Sequence, residues 1–332
     1  TCNGKAIIDD CGECVNESDV CSSTITLEID LHNGANLISL YALPEDRSVS
    51  NIMSSLGDNA TGVIGEGVAA SPNPVLGWVG SLSQFSETSG YWVKVVDSGT
   101  LVVNDATLTD PSIVYDLHNG ANLISFPYEG SVSIAEGLPD DIEPQVTGII
   151  GEGVAASPNP VLGWVGSLNS FQGKKGYWLK MDGSASFSFN IPDALSRESI
   201  PHPVKSELPL EFSFAQSTQQ AFYFVDNILL DGKSIESGDW IIAYSGNVVV
   251  GARQWNGPFT DIPVMGYDGE YETAGYMEVG DRPQFKVISE MTGEVYNLSD
   301  ELPVWVNNEL YTLGVIESVI IPSAIVLDGA YP

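Results

Sequence analysis

The feature that most constrains the fold is an internal repeat that aligns without a gap. The string DLHNGANLIS occupies residues 30–39 and again 116–125, and IGEGVAASPNPVLGWVGSL occupies 64–82 and again 150–168. The offset is 86 residues in both cases. Self-similarity at one period is typical of a supersecondary unit that occurs more than once. The sequence therefore predicts two tandem copies of one module.

Each module is predicted to be mainly β with one short helix. Apolar residues alternate with polar ones over residues 25–31, and this period of two predicts a strand. Asn33-Gly34 then predicts a tight hairpin turn with a returning strand after it, because glycine adopts a positive φ without strain. Apolar residues at helical spacing over 48–56 predict the helix, with Ser48 as a possible N-cap.

A different pattern follows the repeats. Four prolines within 191–209 predict a stiff linker, and short strands with regular turns after it predict a β-sandwich. Those strands are predicted at 221–230, 240–244, 248–255, 284–289, 294–298 and 310–321. The predicted fold class is mainly β, with tandem duplicated β-rich modules followed by a β-sandwich domain and preceded by a disulfide-rich segment. The predicted boundaries are 1–22 for the Cys/Asp-rich segment, 23–105 and 106–190 for the repeat modules, 191–209 for the linker, 210–321 for the β-sandwich and 322–332 for a C-terminal remnant.

All the cysteines of the chain lie in its first 21 residues. An even, clustered set predicts two disulfides and therefore an oxidising compartment. Three pairings are possible, and the sequence does not choose among them. A zinc site is the alternative, but it would need a second close cysteine pair or a nearby histidine. The predicted disulfide residues are Cys2, Cys11, Cys14 and Cys21.

The charge is strongly negative, with 44 acidic residues against 12 basic ones and a net charge of −32. Such a surface repels nucleic-acid phosphates, so we predict no nucleic-acid partner. It attracts cations, and calcium is the hard, oxygen-seeking candidate outside cells. Simple solubility of the surface and an ordinary acidic hairpin are the alternatives. The candidate calcium ligands are Asp9, Asp10 and Glu13 near the cysteines, and Asp261, Asp268, Glu270 and Glu272 in the β-sandwich.

The sequence offers no recognisable catalytic set, and we predict that the protein is not an enzyme. His32 and His118 occupy equivalent turns, and His202 lies in the linker. The chain contains no G-x-S-x-G elbow, no H-E-x-x-H pair and no phosphate-binding glycine loop. Glu66 and Glu152 are the carboxylates duplicated within the longest identical string.

Two duplicated features are candidates for a glycan platform or an interface. Tryptophans can stack on a sugar ring, although large aromatic residues more often fill a core. The proline-containing loop is predicted to be exposed, and core packing does not require an exposed loop to be identical in both copies. The candidate residues are Ser71, Pro72, Asn73, Pro74, Trp78 and Trp92, with their counterparts Ser157, Pro158, Asn159, Pro160, Trp164 and Trp178.

The motifs GANLIS at 34–39, WVGSL at 78–82 and GYWVK at 90–94 resemble a module of large secreted and surface proteins of Bacteroidetes-like marine bacteria. The final residues, IPSAIVLDGAYP, resemble the start of a type IX secretion sorting domain, which implies export across an outer membrane. The first segment loosely resembles thrombospondin type 3 linkers, which often hold calcium, although the regular calcium loop is missing. Because the chain begins at Thr1 and stops after AYP, we expect that an export signal was removed and that the sorting tail was cleaved or left out.

We therefore expect a secreted extracellular or cell-surface protein with a structural or adhesive role, such as a self-assembling filament or sheath subunit. Its expected partners are further copies of itself, a cell surface or a glycan. The alternative is a glycan-binding appendage of a larger polysaccharide-degrading enzyme. No run of 18 apolar residues occurs, so no membrane span is predicted.

Overall fold

The computed structural model describes residues 7–8, 14–15, 24–191, 208–298 and 301–318. The chain is mainly β, with several antiparallel sheets. Two short strands near the N-terminus, β1 (Ile7–Ile8) and β2 (Cys14–Val15), pair antiparallel. The predicted disulfides and the first group of calcium ligands stay predictions, because Cys2, Asp9, Asp10, Cys11, Glu13 and Cys21 lie outside the described residues, as do 192–207 and 319–332.

The first repeat folds into two sheets around one core. Five strands form a sheet in the order β4-β9-β6-β7-β8, and β3, β10 and β5 form the other. Leu27, Val63 and Val93 are fully buried in the core of this repeat. Its elements are β3 (Ile25–Leu31), β4 (Gly34–Ile38), β5 (Ala42–Leu43), α1 (Val49–Ile52), a 3-10 helix (Met53–Asn59), β6 (Ala60–Gly65), β7 (Val68–Asn73), β8 (Gly77–Gly80), β9 (Tyr91–Val95) and β10 (Gly99–Leu108).

The second repeat has a five-stranded sheet of the same order, β12-β18-β14-β15-β16, and its smaller sheets are β11-β19 and β13-β17. Leu138, Ile149 and Phe171 are fully buried in its own core. Its elements are β11 (Tyr115–Leu117), β12 (Gly120–Ile124), β13 (Ser131–Ser133), α2 (Ile134–Gly137), a 3-10 helix (Glu143–Gln145), β14 (Val146–Ile150), β15 (Ala155–Asn159), β16 (Gly163–Gly166), β17 (Ser170–Gln172), β18 (Tyr177–Met181) and β19 (Ala185–Phe187).

The third region, which we call the third domain, packs two sheets over a common core and is sandwich-like. One sheet contains β21-β20-β24, with β27 parallel to β20, and the other has the order β23-β22-β25-β26. Its elements are a 3-10 helix (Leu210–Phe212), β20 (Gln220–Leu230), β21 (Lys233–Ser234), β22 (Trp240–Ser245), β23 (Val248–Gln254), β24 (Thr260–Met265), a 3-10 helix (Tyr271–Thr273), β25 (Gln284–Ile288), β26 (Val295–Asn297) and β27 (Leu310–Ser318).

Two local predictions for the first repeat are confirmed. In β3, Leu27, Ile29 and Leu31 are buried while the intervening polar residues are exposed. The helix begins after Ser48, whose hydroxyl accepts a hydrogen bond from Asn51 N–H. It is shorter than the predicted helix, because the chain tightens into 3-10 geometry at Met53 and is interrupted by the positive φ of Gly57.

The hairpin predicted at Asn33-Gly34 is wrong. Gly34 does have a positive φ of 90°, but β3 pairs with β10 while β4 pairs with β9, so the turn joins two different sheets. The Asn36 side chain holds this corner, because its amide accepts from His32 N–H at 2.8 Å and donates to His32 C=O at 2.8 Å. These local bonds replace the ladder that a hairpin would need.

Two strands of the third domain were not predicted, the two-residue β21 and the longer β24. Strand β24 contains Pro263, and a proline argues against a central strand because it cannot donate to the ladder. In the sheet path β21-β20-β24, however, β24 lies at the end and pairs with β20. An end strand tolerates the proline because one side of its ladder needs no donor.

Candidate functional site

The two repeats face each other with reciprocal contacts between equivalent residues. His32 Nε2 of the first repeat lies 2.7 Å from Glu152 Oε1 of the second. His118 Nε2 of the second repeat makes the equivalent contact to Glu66 Oε1 of the first. No sequence motif predicted that these four residues would pair. Their pairing follows from a local two-fold relation, in which residue i contacts j and j contacts i.

The same carboxylates also hold the backbone of the opposite repeat. Glu152 Oε2 accepts from Leu37 N–H at 2.7 Å, and Glu66 Oε2 accepts from Leu123 N–H at 2.8 Å. Strands β4 and β12 lie at one end of their five-stranded sheets. Each glutamate therefore accepts a hydrogen bond from an edge-strand N–H group that the sheet of the opposite repeat leaves unpaired.

Glycines allow the two backbones to approach at this interface. Gly90 N–H donates to Leu123 C=O at 3.1 Å, and Gly176 N–H donates to Leu37 C=O at 3.2 Å. A Cβ on Gly90 would lie 2.8 Å from Ile124 O, and one on Gly176 would lie 2.7 Å from Ile38 O. The first residue of each G-Y-W motif is thus required by close packing between the repeats.

A small apolar cluster fills the centre of this interface. It contains Leu37 and Trp92 of the first repeat and Leu123 and Trp178 of the second. Trp92 is 1% exposed, whereas Trp178 is half-buried and also contacts the third domain. The interface therefore has an apolar centre flanked by the two histidine–glutamate pairs.

The contacts in the histidine–glutamate pairs shift the pKa values of the residues that form them. The hydrogen bond that Glu152 accepts from His32 raises the pKa of His32 above its ordinary 6.5, against the opposing effect of burial. Burial alone would raise the pKa of Glu152, but His32, Lys175 and Leu37 N–H together lower it below 4.5. The backbone carbonyl of Asn119, followed by Glu66, raises the pKa of His118.

We expect the repeat interface to be most stable between about pH 5 and 6.5 and to weaken as the pH rises to 8. A raised histidine pKa stabilises the folded state below the unfolded pKa of 6.5, and this contribution is lost as the pH passes the folded pKa. The lowered pKa of Glu152 adds stability above pH 4.5 that is lost on acidification. Because the side chains of His32 and His118 are 49% and 60% exposed, solvent screens the pairs and the whole effect should be about 1 kcal/mol or less.

Urea unfolding at a series of pH values would measure this dependence. The double variant His32→Gln, His118→Gln should show a flatter profile between pH 6 and 8 than the wild-type chain. Identical slopes for the two chains would contradict the proposed coupling.

A second interface joins the third domain to the second repeat. Asp261 Oδ2 accepts from Ser167 Oγ at 2.6 Å and from Ala155 N–H at 3.3 Å. Arg253 donates to Gly153 C=O at 2.7 Å and lies 3.2 Å from Asp261 Oδ2. Burial raises the pKa of Asp261, opposed by the charge of Arg253. We call Gly153, Ala155, Val165 and Ser167 the second docking surface, because they lie on the second repeat.

Aromatic side chains of β20 complete this second interface. Phe222 and Phe224 are fully buried and pack with Ile150, Ala155 and the half-buried Val165. The alternate residues of β20, including Tyr223 and Val225, point into the core of the third domain. The continuous apolar run AFYFV at 221–225 is typical of a strand buried on both faces, and this signal could have predicted the docking.

The acidic residues predicted to bind calcium have other partners in the structure. Asp261 is paired with Arg253, while Asp268 and Glu270 both contact Lys94 Nζ, at 3.1 and 2.9 Å. Burial would raise the pKa of Asp268, but the Thr273 hydroxyl and Lys94 lower it. Glu272 is exposed. Within the described ranges, no group of three or more His, Cys, Asp or Glu side chains is placed to hold a metal ion, so calcium binding stays a prediction.

The duplicated proline loops form the ends of two exposed hairpins. Ser71, Pro72 and Asn73 lie in β7, which pairs with β8, and residues 157–159 likewise lie in β15, which pairs with β16. Pro74 and Pro160 are exposed. Asn73 Oδ1 accepts from the two N–H groups that follow Pro74, at 2.9 and 3.0 Å, and Asn159 does the same in its own hairpin.

Each hairpin presents two apolar side chains to solvent. Val75 and Leu76 are 85% and 74% exposed, and Val161 and Leu162 are 87% and 60% exposed. We call these four residues the hairpin tips. Large aliphatic side chains placed side by side at such exposure, twice, are candidates for contact with another molecule.

The four candidate tryptophans do not form an exposed aromatic face. Trp92 is buried between the repeats. Trp78, Trp164 and Trp178 are half-buried against apolar clusters, and Trp164 Nε1 also donates to Glu143 at 2.6 Å. These residues therefore serve mainly as packing groups in this chain.

Comparison with known proteins adds no relative: no family model, curated protein or solved structure matches the chain. The resemblance to type IX secretion cargo therefore stays a prediction. No helix in the described part of the chain is long and apolar enough to cross a membrane.

Proposed function

We propose that the protein is an extracellular structural or adhesive protein that self-associates through its repeated surfaces, and that residues 23–105 and 106–190 are two copies of one module. The observation that carries this proposal is the pair of hairpin tips, which have the same sequence, the same asparagine-stabilised turn and the same exposed valine and leucine. Two equivalent contact points on one subunit allow assembly to continue from molecule to molecule.

The extracellular location is supported by the clustered cysteines, the strongly acidic composition and the resemblance to secreted modules. The acidic surface also makes association dependent on ions, because a net charge of −32 repels a second copy at low salt. We therefore expect salt, or calcium at about 1 mM, to promote assembly.

A variant with serine at all four hairpin-tip positions, Val75, Leu76, Val161 and Leu162, should associate at least about tenfold more weakly than the wild-type chain. Burying one valine or leucine side chain contributes about 1.5–3 kcal/mol, so each tip that enters a contact is worth more than a factor of ten. Sedimentation velocity over a concentration series, with and without calcium, would measure this, and negative-stain electron microscopy would show the form of the assemblies.

The matched control places serine at Val96 and Leu108, which are 52% and 53% exposed elsewhere on the first repeat. It should assemble like the wild-type chain. Equal assembly by the tip variant would contradict the role of the tips. A wild-type chain that stays monomeric at every concentration and calcium level would contradict self-association itself.

A further inference from the structure

The first repeat carries an uncovered copy of the surface on which the third domain docks. The second docking surface lies within residues 150–168, and the identical string at 64–82 supplies Gly67, Ala69, Val79 and Ser81 at the equivalent positions. We call these four residues the first docking surface. Ala155 is fully buried by docking, whereas Ala69 is exposed. Val79 is 36% exposed, and Ser81 is exposed.

The donors that bind the third domain are also present on the first docking surface. On the second surface, Ala155 N–H and Ser167 Oγ both donate to Asp261 Oδ2. On the first surface, Ala69 N–H instead donates to Ser81 Oγ at 3.2 Å. A carboxylate placed like that of Asp261 could accept from both groups, as it does on the second repeat.

From this identity we propose that the first docking surface binds the third domain of a second copy of the chain. The partner face is already defined by Asp261, Arg253, Phe222 and Phe224, which dock on the same sequence within one chain. The inference deepens the proposed self-association and rests on it only in taking another copy as the partner.

Occupation by a second copy is a domain exchange. The docking face of each third domain is used within its own chain, and that domain also contacts Lys94 and Lys180, the equivalent lysines of the two repeats. The two repeats of one chain therefore bind a single copy of the third domain at a time. A chain that receives a neighbour's third domain passes its own to the next chain, and such head-to-tail exchange continues without closing.

The exposed surface also sets the order of events. Ala69 and Ser81 are accessible while the chain's own third domain is still docked, so an incoming domain makes its first contacts there. The second docking surface becomes accessible only after the resident domain has left. The first repeat is thus the entry point for exchange.

Ala155→Glu in the full-length chain tests the proposal. A carboxylate at this position would oppose Asp261 and displace the third domain, while the exposure of the equivalent Ala69 shows that the module itself has room for a larger side chain. The variant loses the intramolecular docking on the second docking surface, which the tether supports at an effective concentration in the millimolar range. It should therefore associate at a concentration at least about tenfold lower than the wild-type chain.

Ala69→Glu and the double variant Ala69→Glu, Ala155→Glu complete the experiment, with sedimentation velocity as the readout and circular dichroism as the check on folding. We expect Ala69→Glu to weaken association of the wild-type chain and to abolish the gain produced by Ala155→Glu. A monomeric Ala155→Glu chain, or a double variant that associates as strongly as Ala155→Glu, would overturn the proposal. Serine substitutions at the hairpin tips in the Ala155→Glu background separate this outcome from failure of the tip proposal, because exchange should persist without the tips.

Discussion

Arg253→Met is expected to destabilise the docked third domain by about 3–5 kcal/mol. The guanidinium faces Asp261, whose side chain is 2% exposed, and it also donates to the backbone of the second repeat. Methionine fills a similar volume but leaves the carboxylate buried without its cation. Removing one partner of a buried ion pair is much more damaging than removing a surface pair, because the remaining charge stays desolvated.

The loss should also depend on pH. Burial already raises the pKa of Asp261 in the wild-type chain, and removing Arg253 takes away the charge that opposes this shift. A carboxyl group with a raised pKa binds a proton in the folded state that the unfolded state has lost, so the variant should lose stability as the pH rises from about 4. The destabilisation should therefore be smaller at pH 5 than at pH 8.

Urea unfolding followed by tryptophan fluorescence would measure both effects. Arg47→Met is the matched control, because Arg47 pairs with Glu87 on the surface, with side-chain exposures of 39% and 33%. That control should change stability by about 1 kcal/mol or less. If Arg253→Met behaved like Arg47→Met, the buried pair would not be what holds the third domain in place.

Trp92→Ala should destabilise the association of the two repeats by about 3–5 kcal/mol. Trp92 is 1% exposed and packs against Leu37 and Leu123 at the centre of the repeat interface. Truncation would leave a cavity between two rigid sheets that are also held by Gly90 and Gly176, so the site has little freedom to collapse.

Trp92→Phe offers a graded test at the same position. Trp92 Nε1 is buried and has no hydrogen-bond acceptor among the described residues, so phenylalanine removes an unpaired polar group as well as volume. Trp92→Phe should therefore lose much less stability than Trp92→Ala. Trp78 is half-buried against the core of the first repeat. Trp78→Ala should therefore lose about 1–2 kcal/mol of stability, less than Trp92→Ala. Equal losses for the alanine variants of Trp78 and Trp92 would show that the repeat interface contributes no special stability.

Local patterns predicted much of the secondary structure. The alternation over 25–31, the capped turn after Ser48 and six of the third-domain strands were found in this way. Pairing was less predictable. Asn33-Gly34 has the turn chemistry of a hairpin, yet Asn36 converts it into a corner between two sheets. The local signal gives a change of direction, whereas the partner of each strand depends on residues far away in the chain.

The repeat interface shows a similar limit. His32 and Glu152 are 120 residues apart, and neither position carries a local signal for the other. The one available clue was that a histidine and a glutamate recur at the same offset, which a two-fold arrangement would pair crosswise. That clue becomes decisive only once the two sheets are known to face each other.

The sequence by itself determined that the chain is mainly β and that it contains the same segment twice, because periodicity and identity are properties of the residues alone. Tertiary structure decided what each copy does. Residues 64–82 and 150–168 are identical, yet Ala155 is buried under the third domain and Ala69 is open to solvent. Burial depends on which surface another element covers, and two identical strings cannot encode that difference. It arises because the chain holds two copies of this string but a single copy of the third domain, which docks on the second string.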